Sequence, residues 1–162
     1  MKLLILSDSH GSAENMRRVV LIENPDMLLF LGDGQCDLQM ILKEFPALEC
    51  HAVRGNCDYA SDLAEEALVE AQGVRIFMCH GHTYGVKHSY DRLLRRGYLK
   101  RAKLVLSGHT HTALIRERLG LTLINPGSVG YYYDPTYAVV WVEDASVVRQ
   151  EIRHLQSPVF EP

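Results

Sequence analysis

Cysteine is scarce in this chain and unpatterned. Cys36, Cys50, Cys57 and Cys79 are the four cysteines, and none forms a C-x-x-C pair. That argues against a disulfide scaffold and fits reduced thiols in a cytoplasmic protein. A secretory leader is lacking as well. The apolar start, residues 1–6, is too short for one and is broken at once by Ser7-Asp8-Ser9-His10. No apolar run approaches the ~20 residues of a membrane span, so no membrane partner is expected. Excess positive charge is missing too. The net charge is −3 with Lys and Arg scattered, and the basic stretch at 92–103 reads as a solvated helix face. A nucleic-acid polymer is therefore not the expected partner. Linkers, repeats and low-complexity tracts are absent from the sequence. Residues 1–162 read as a single domain, large enough to bury roughly two-thirds of its unfolded surface without a disulfide or a structural metal.

What is present is a regular alternation. Residues 2–6 form a buried-strand pattern. Ser12 is placed to cap a helix reaching about residue 22, which Asn24-Pro25 ends. A second buried strand at 27–31, a helix at 37–45 stopped by Pro46 and a strand at 50–53 follow. Strand, helix, strand, helix, strand implies parallel pairing with right-handed crossovers. The pattern then changes to a hairpin, 67–70 and 74–78 around Gln72-Gly73. A helix over 90–101 with Ser89 as its cap comes next, weakened by Gly97. After a strand at 104–106, the chain from residue 113 reads as antiparallel. Strands 113–119 and 121–124 flank Gly120, and strands 137–142 and 146–153 flank Glu143-Asp144. Asn125-Pro126-Gly127-Ser128 suits a type II turn. The sum is an α/β fold with two mixed sheets and helices outside.

Five short clusters each follow an apolar run. They are Asp8-Ser9-His10, Gly32-Asp33-Gly34, Gly55-Asn56-Cys57-Asp58, His80-Gly81-His82 and Gly108-His109-Thr110-His111. Asp8-Ser9-His10 alone is ordinary turn chemistry, and a glycine-flanked Asp33 suits any tight loop. Two imidazoles two residues apart, as in His109 and His111, are a stronger signal. Five such clusters at matching places go beyond turn chemistry. In an open α/β sheet the carboxyl ends of the strands share one edge, where ligands bind. The clusters should therefore converge on one patch of Asp, Asn and His. Carboxylate, amide oxygen and imidazole suit manganese, iron, zinc or cobalt better than calcium, magnesium, copper(I) or an iron–sulfur cluster.

In this order, D-x-H, G-D, G-N-x-D, H-G-H and G-H-T-H, the motifs resemble the calcineurin-like metallophosphoesterases, most nearly their small single-domain bacterial phosphodiesterases. The likeness runs from Lys2 to about Ser128. It implies a four-layer αββα sandwich with the metal site at one edge of the two sheets. It also implies two divalent transition-metal ions per chain, manganese foremost, with iron, zinc, cobalt or nickel as alternatives. By position, Asp8, His10 and His111 would hold one ion, Asn56, His80 and His109 the other, and Asp33 would bridge them. The implied activity is hydrolysis of a small phosphate ester, a diester before a monoester, by a hydroxide between the ions.

One position departs from the resemblance. Many relatives carry a histidine after the asparagine, where it protonates the leaving group or braces the phosphate. Here it is Cys57, and a thiol with a pKa near ~8.5 is a poor general acid. His82 is the other candidate for that task, with a surface or supporting role as its alternative. Cys36 and Cys79 also lie in or beside these loops, where they either join Cys57 in a thiol cluster or, the preferred reading, fill the loop backs. Cys50, His51, His88 and His154 belong to no constellation. Tyr131-Tyr132-Tyr133 suits a substrate cleft or a subunit contact in a homo-oligomer, and Trp141 reads as core. Two rival functions share the fold or the chemistry: a protein-binding scaffold, like the retromer subunit, and a nuclease. The intact ligand set argues against the first and the acidic balance against the second.

Overall fold

The apolar runs become strands because both faces of each are covered. A computed structural model describes residues 1–131 and 133–156. In chain order the elements are β1 (Lys2–Leu6), α1 (Ala13–Glu23), β2 (Met27–Phe30), α2 (Gln35–Glu44), β3 (Glu49–Ala52), β4 (Glu66–Ala71), β5 (Val74–Cys79), α3 (Asp91–Leu99), β6 (Leu104–Leu106), β7 (Leu114–Arg118), β8 (Leu121–Asn125), β9 (Thr136–Glu143) and β10 (Ser146–His154). They make two five-stranded sheets, ordered β10-β9-β1-β2-β3 and β4-β5-β6-β8-β7.

Side-chain alternation along β1 explains the layers. Leu3 and Ile5 enter the central core with Leu29, Ile76, Met78, Leu104 and Val140. Leu4 and Leu6 point the other way, onto Met16 and Val19 of α1 and Leu38 and Ile41 of α2. On the far side Phe77, Val105 and Leu123 meet Leu93 and Leu94 of α3. The order of layers is therefore helices, sheet, sheet, helix, the expected sandwich. Parallel pairing holds where strands alternate with helices, β1 with β2 and β2 with β3.

Several details differ from the sequence reading. Strand β8 is antiparallel to β7 but parallel to β6. The chain leaves β6, makes the edge strand β7, and returns between the two, so the late segment is not wholly antiparallel. The β9–β10 turn is Asp144-Ala145, both at positive φ, as a two-residue hairpin requires. Helix α3 stops at Leu99, short of residue 101. Gly97 within it is there for contact, since a Cβ would lie 2.4 Å from Val105 Cγ2. Ser12 occupies the N-cap of α1 without a side-chain hydrogen bond, and Asn24 closes that helix in the left-handed conformation. Gly127 has φ +79°, as the second central position of a type II turn needs. Trp141 is half-buried, not core. Lys2, Arg149 and Arg153 lie 5.7, 4.9 and 5.4 Å from its ring centre, since β1 and β10 bring Lys2 and Arg149 alongside Trp141 in register. Among the described residues no helix is long and apolar enough to cross a membrane.

Candidate metal centre

Asp8, His10, Asp33, Asn56, His80, His109 and His111 do come together at one edge of the sandwich, on the loops that leave β1, β2, β3, β5 and β6. Five of these residues, Asp8, His10, Asp33, His109 and His111, have positive φ, between 45° and 66°. A left-handed conformation costs a non-glycine residue roughly 1–2 kcal/mol. Such strain gathers where side chains are held for a purpose other than stability.

The loops are tied to one another through their backbones. The amide of Asp8 donates to the Gly32 carbonyl, that of His10 to Asp33, and that of Gly108 to His80. From the far end of the chain, the amides of Val129 and Gly130 donate to the carbonyls of Ser7 and Asp8. A Cβ on Gly130 would lie 2.2 Å from the Ser9 carbonyl oxygen, so only glycine permits that approach.

Asp8 is fully buried. Its Oδ2 accepts from the Ser7 hydroxyl at 2.6 Å and from the His109 amide at 3.0 Å. Its Oδ1 is buried with no hydrogen-bond partner, yet faces Nε2 of His111 at 3.1 Å, of His10 at 3.7 Å and of His80 at 3.9 Å. Burial raises the Asp8 pKa, but His10, His111 and His80 outweigh it and hold the carboxyl well below its usual range. Asp33 divides its oxygens in the same way. Oδ1 accepts from the Cys57 amide at 2.7 Å, and Oδ2 lies 3.3 Å from His80 Nε2 and 3.9 Å from His10 Nε2. Against burial, His80 and the Cys57 amide bring its pKa down to about 2.

The imidazoles converge with their nitrogens inward. His80 Nδ1 is 2.8 Å from the Leu31 carbonyl, which can only accept, so Nδ1 carries the proton. Nε2 then faces the Asn56 Oδ1 at 3.1 Å as well as Asp33. Burial disfavours charge on His80, but Asp33 and Asp8 prevail and raise its pKa. His10 and His111 oppose their Nε2 atoms at 3.2 Å. His109 is pushed down to about 4 by burial and by His80, which leaves a neutral, ligating imidazole at neutral pH. Carboxylate, amide and imidazole groups, all able to donate a lone pair to a metal, thus crowd one space. The arrangement asks for cations at its centre, and carboxylate with imidazole is a donor set for divalent transition metals. Asp8, His10 and His111 form one group able to hold an ion, Asp33, His80 and His109 another.

The remaining candidates sort differently. His82 is half-buried in a short 3₁₀ turn, His82–Tyr84, with its ring 5.5 Å from His80 and 6.1 Å from His109. Its Nδ1 is buried and without a partner. Cys57 is exposed beside Asn56. Cys79 is buried against α3, while Cys36 is exposed on the first turn of α2, so Cys36, Cys57 and Cys79 do not gather into one thiol cluster. Tyr131 and Tyr133 are exposed, and Tyr132 lies outside the described residues.

Other residues with a part in the site carried no assigned role in the sequence. Asp58 accepts four backbone amides, those of Asp33, Gly34, Gln35 and Gly55, at 2.8–3.0 Å. It locks the Asp33 loop to the Asn56 loop and caps α2. Asp37 accepts from Ser9 Oγ at 2.6 Å and the Gly11 amide at 2.8 Å. Buried Asn125 donates to the Gly108 carbonyl and to Thr110 Oγ1, fixing the histidine loop. An acidic residue three after a loop glycine was the available signal for Asp58. Nothing local marks Asn125.

Residues 1–145 match the calcineurin-like phosphoesterase superfamily domain. The chain is 34% identical to the probable metallophosphoesterase YsnB of Bacillus subtilis, over 98% of this chain and 99% of that one. It is 27% identical to the phosphodiesterase YfcE of Escherichia coli K12, over 93% and 97%. The crystal structure of a predicted phosphoesterase from Streptococcus pneumoniae superposes with a TM-score of 0.80 over 98% of this chain and 93% of that one. At 23% identity that likeness concerns the fold.

Proposed function

Because the chain belongs to the calcineurin-like phosphoesterase superfamily, we propose that its Asp–His–Asn patch holds two divalent transition-metal ions and hydrolyses small phosphodiesters. Asp8, His10 and His111 hold one ion, Asn56, His80 and His109 the other, and Asp33 serves both. The observation that carries this reading is the inward crowd of potential metal-binding side chains around Asp8 Oδ1, which is buried without a hydrogen-bond partner. Bound there, the metals supply Lewis acidity and an activated water.

The chain's own residues do the rest. Leu31 fixes the His80 tautomer, which turns Nε2 inward. The Cys57 amide pins one Asp33 oxygen and frees the other. Asn56 presents its amide oxygen beside His80. Position 57 brings no imidazole to the leaving group, so esters with good leaving groups, aryl diesters above all, are the favoured substrates. The likeness to a phosphodiesterase supports diester over monoester. With a net charge of −3, the surface favours a small substrate over a nucleic-acid polymer.

The test is a metal-resolved screen of purified apo protein against aryl phosphodiesters, cyclic nucleotides and aryl monoesters. Chelation should abolish hydrolysis and leave the far-UV CD nearly unchanged, since the apolar layers hold without metal. Mn²⁺ should restore the rate and raise Tm, because metal binds the native state preferentially. Full activity after exhaustive metal removal would overturn the proposal.

A further inference from the structure

We propose that Cys57 is itself a metal donor, a thiolate completing a third donor group with His10 and Asp33. The inference rests on the metal-holding reading above and changes its chemistry. The donor atoms of His10, Asp33 and Cys57 all lie within 4.8 Å of one another. The loop brings the thiol there firmly. The Cys57 amide is bonded to Asp33 Oδ1 at 2.7 Å, the Asn56 amide group donates to Sγ at 3.2 Å, and Asp58 holds the Gly55 amide.

An independent observation points the same way. His10 belongs both to this group and to that of Asp8 and His111. Asp8 Oδ1, fully buried and without a hydrogen bond, faces His10 Nε2 at 3.7 Å. The unmet carboxylate oxygen and the thiol therefore both lie within reach of the same imidazole. Among the described thiols, Cys57 is the one whose sulfur falls within such a donor group of carboxylates and imidazoles.

The chemistry follows from softness. On binding, the thiol proton is released to solvent and the sulfur becomes an anionic, polarisable donor. A site of carboxylate, amide and imidazole alone accepts manganese readily, and one thiolate added to it turns preference toward Zn²⁺ and Co²⁺. Position 57 then acts as a metal-selecting residue, where the expected histidine would have acted on the leaving group.

Co²⁺ titration of the apo protein tests this without reference to turnover. The wild type should develop both the visible ligand-field bands of bound Co²⁺ and a near-ultraviolet sulfur-to-metal charge-transfer band. Cys57→Ser should keep the visible bands and lose the near-ultraviolet one. Its Zn²⁺ affinity, read from competition with a chromogenic chelator, should fall about tenfold or more, at least the cost of losing an outer partner of a ligand. Its Mn²⁺ affinity should change little. Cys57→Ala, with no donor at all, should give the same spectrum as Cys57→Ser. Visible bands without a charge-transfer band in the wild type would overturn the thiolate and leave the metal site standing. No Co²⁺ bands and no Tm shift with any of these metals would overturn the site reading and the thiolate with it.

Discussion

Asp33 uses its two oxygens for separate ends, and that division makes it the most exacting position in the patch. Oδ1 is committed to the Cys57 amide, and Oδ2 faces both His80 and His10. Asp33→Asn keeps the size but replaces one oxygen by an amino group and removes the charge. Expected outcomes are loss of at least one metal equivalent by elemental analysis and a fall in kcat of about 100-fold or more, since even outer partners of ligands are worth about 10–100-fold. His154→Ala is the control. That imidazole pairs with Asp134 at 2.6 Å on the surface, and turnover should stay within error. At this scale the convergence of Asp8, His10, Asp33, Asn56, His80, His109 and His111 was legible in the sequence, because donor chemistry is written in residue type. Hidden from it was the backbone conformation: the positive φ at Asp8, His10, Asp33, His109 and His111 is imposed by contacts between loops that no single loop records.

At the scale of elements, the helix most in debt to a distant residue is α2. Its sequence pattern begins at residue 37, yet the helix starts at Gln35, because the Asp58 carboxylate accepts the amides of Gly34 and Gln35 across more than twenty positions of chain. A cap supplied from another loop leaves no local trace, which is why this boundary was misplaced while those of β1 were not. Burial raises the Asp58 pKa, but the amides of Gln35, Gly55, Asp33 and Gly34 together lower it. Asp58→Asn sets an amino group against these donors. Hydrogen bonds to a charged group are worth about 1.5–3 kcal/mol, so a loss of about 2 kcal/mol in urea unfolding is expected. Metal affinity should fall with it, because the same carboxylate positions Asp33 and the Asn56 loop. Unchanged metal affinity in a destabilised variant would confine Asp58 to the helix.

Across the whole molecule, the layers were legible because β1 and β2 are apolar on both faces, which only a covered sheet explains. The parallel seating of β8 beside β6 was not, since a hairpin reads the same wherever it docks. A buried carboxylate joins these layers. Glu23, at the end of α1, accepts from Tyr137 at 2.6 Å and pairs with Lys2 and Arg153 at 2.8 Å, linking α1 to β1, β9 and β10. Burial alone would raise its pKa, but Lys2, Tyr137 and Arg153 together hold it below the usual glutamate range. A depressed carboxylate pKa gives stability that is full above the unfolded value and lost as pH falls through the folded one. Glu23→Gln should therefore be less stable than wild type at neutral pH. The gap should narrow as pH falls through the ordinary glutamate range and close only below the lowered pKa of the folded chain, where Glu23 is protonated as well. Urea midpoints measured across that range check this, and a gap independent of pH would mean that Glu23 acts through packing alone.

The Gly130 amide on the Asp8 carbonyl has a kinetic meaning. The patch joins residue 8 to residues 109–111 and is latched by residue 130, so it cannot exist while the second half of the chain is still loose. Contacts this far apart in sequence close late. A metal ion bound at this patch would therefore meet a molecule already folded and would act as a brake on its opening. Metal held there would lengthen the life of the native state without hastening its birth.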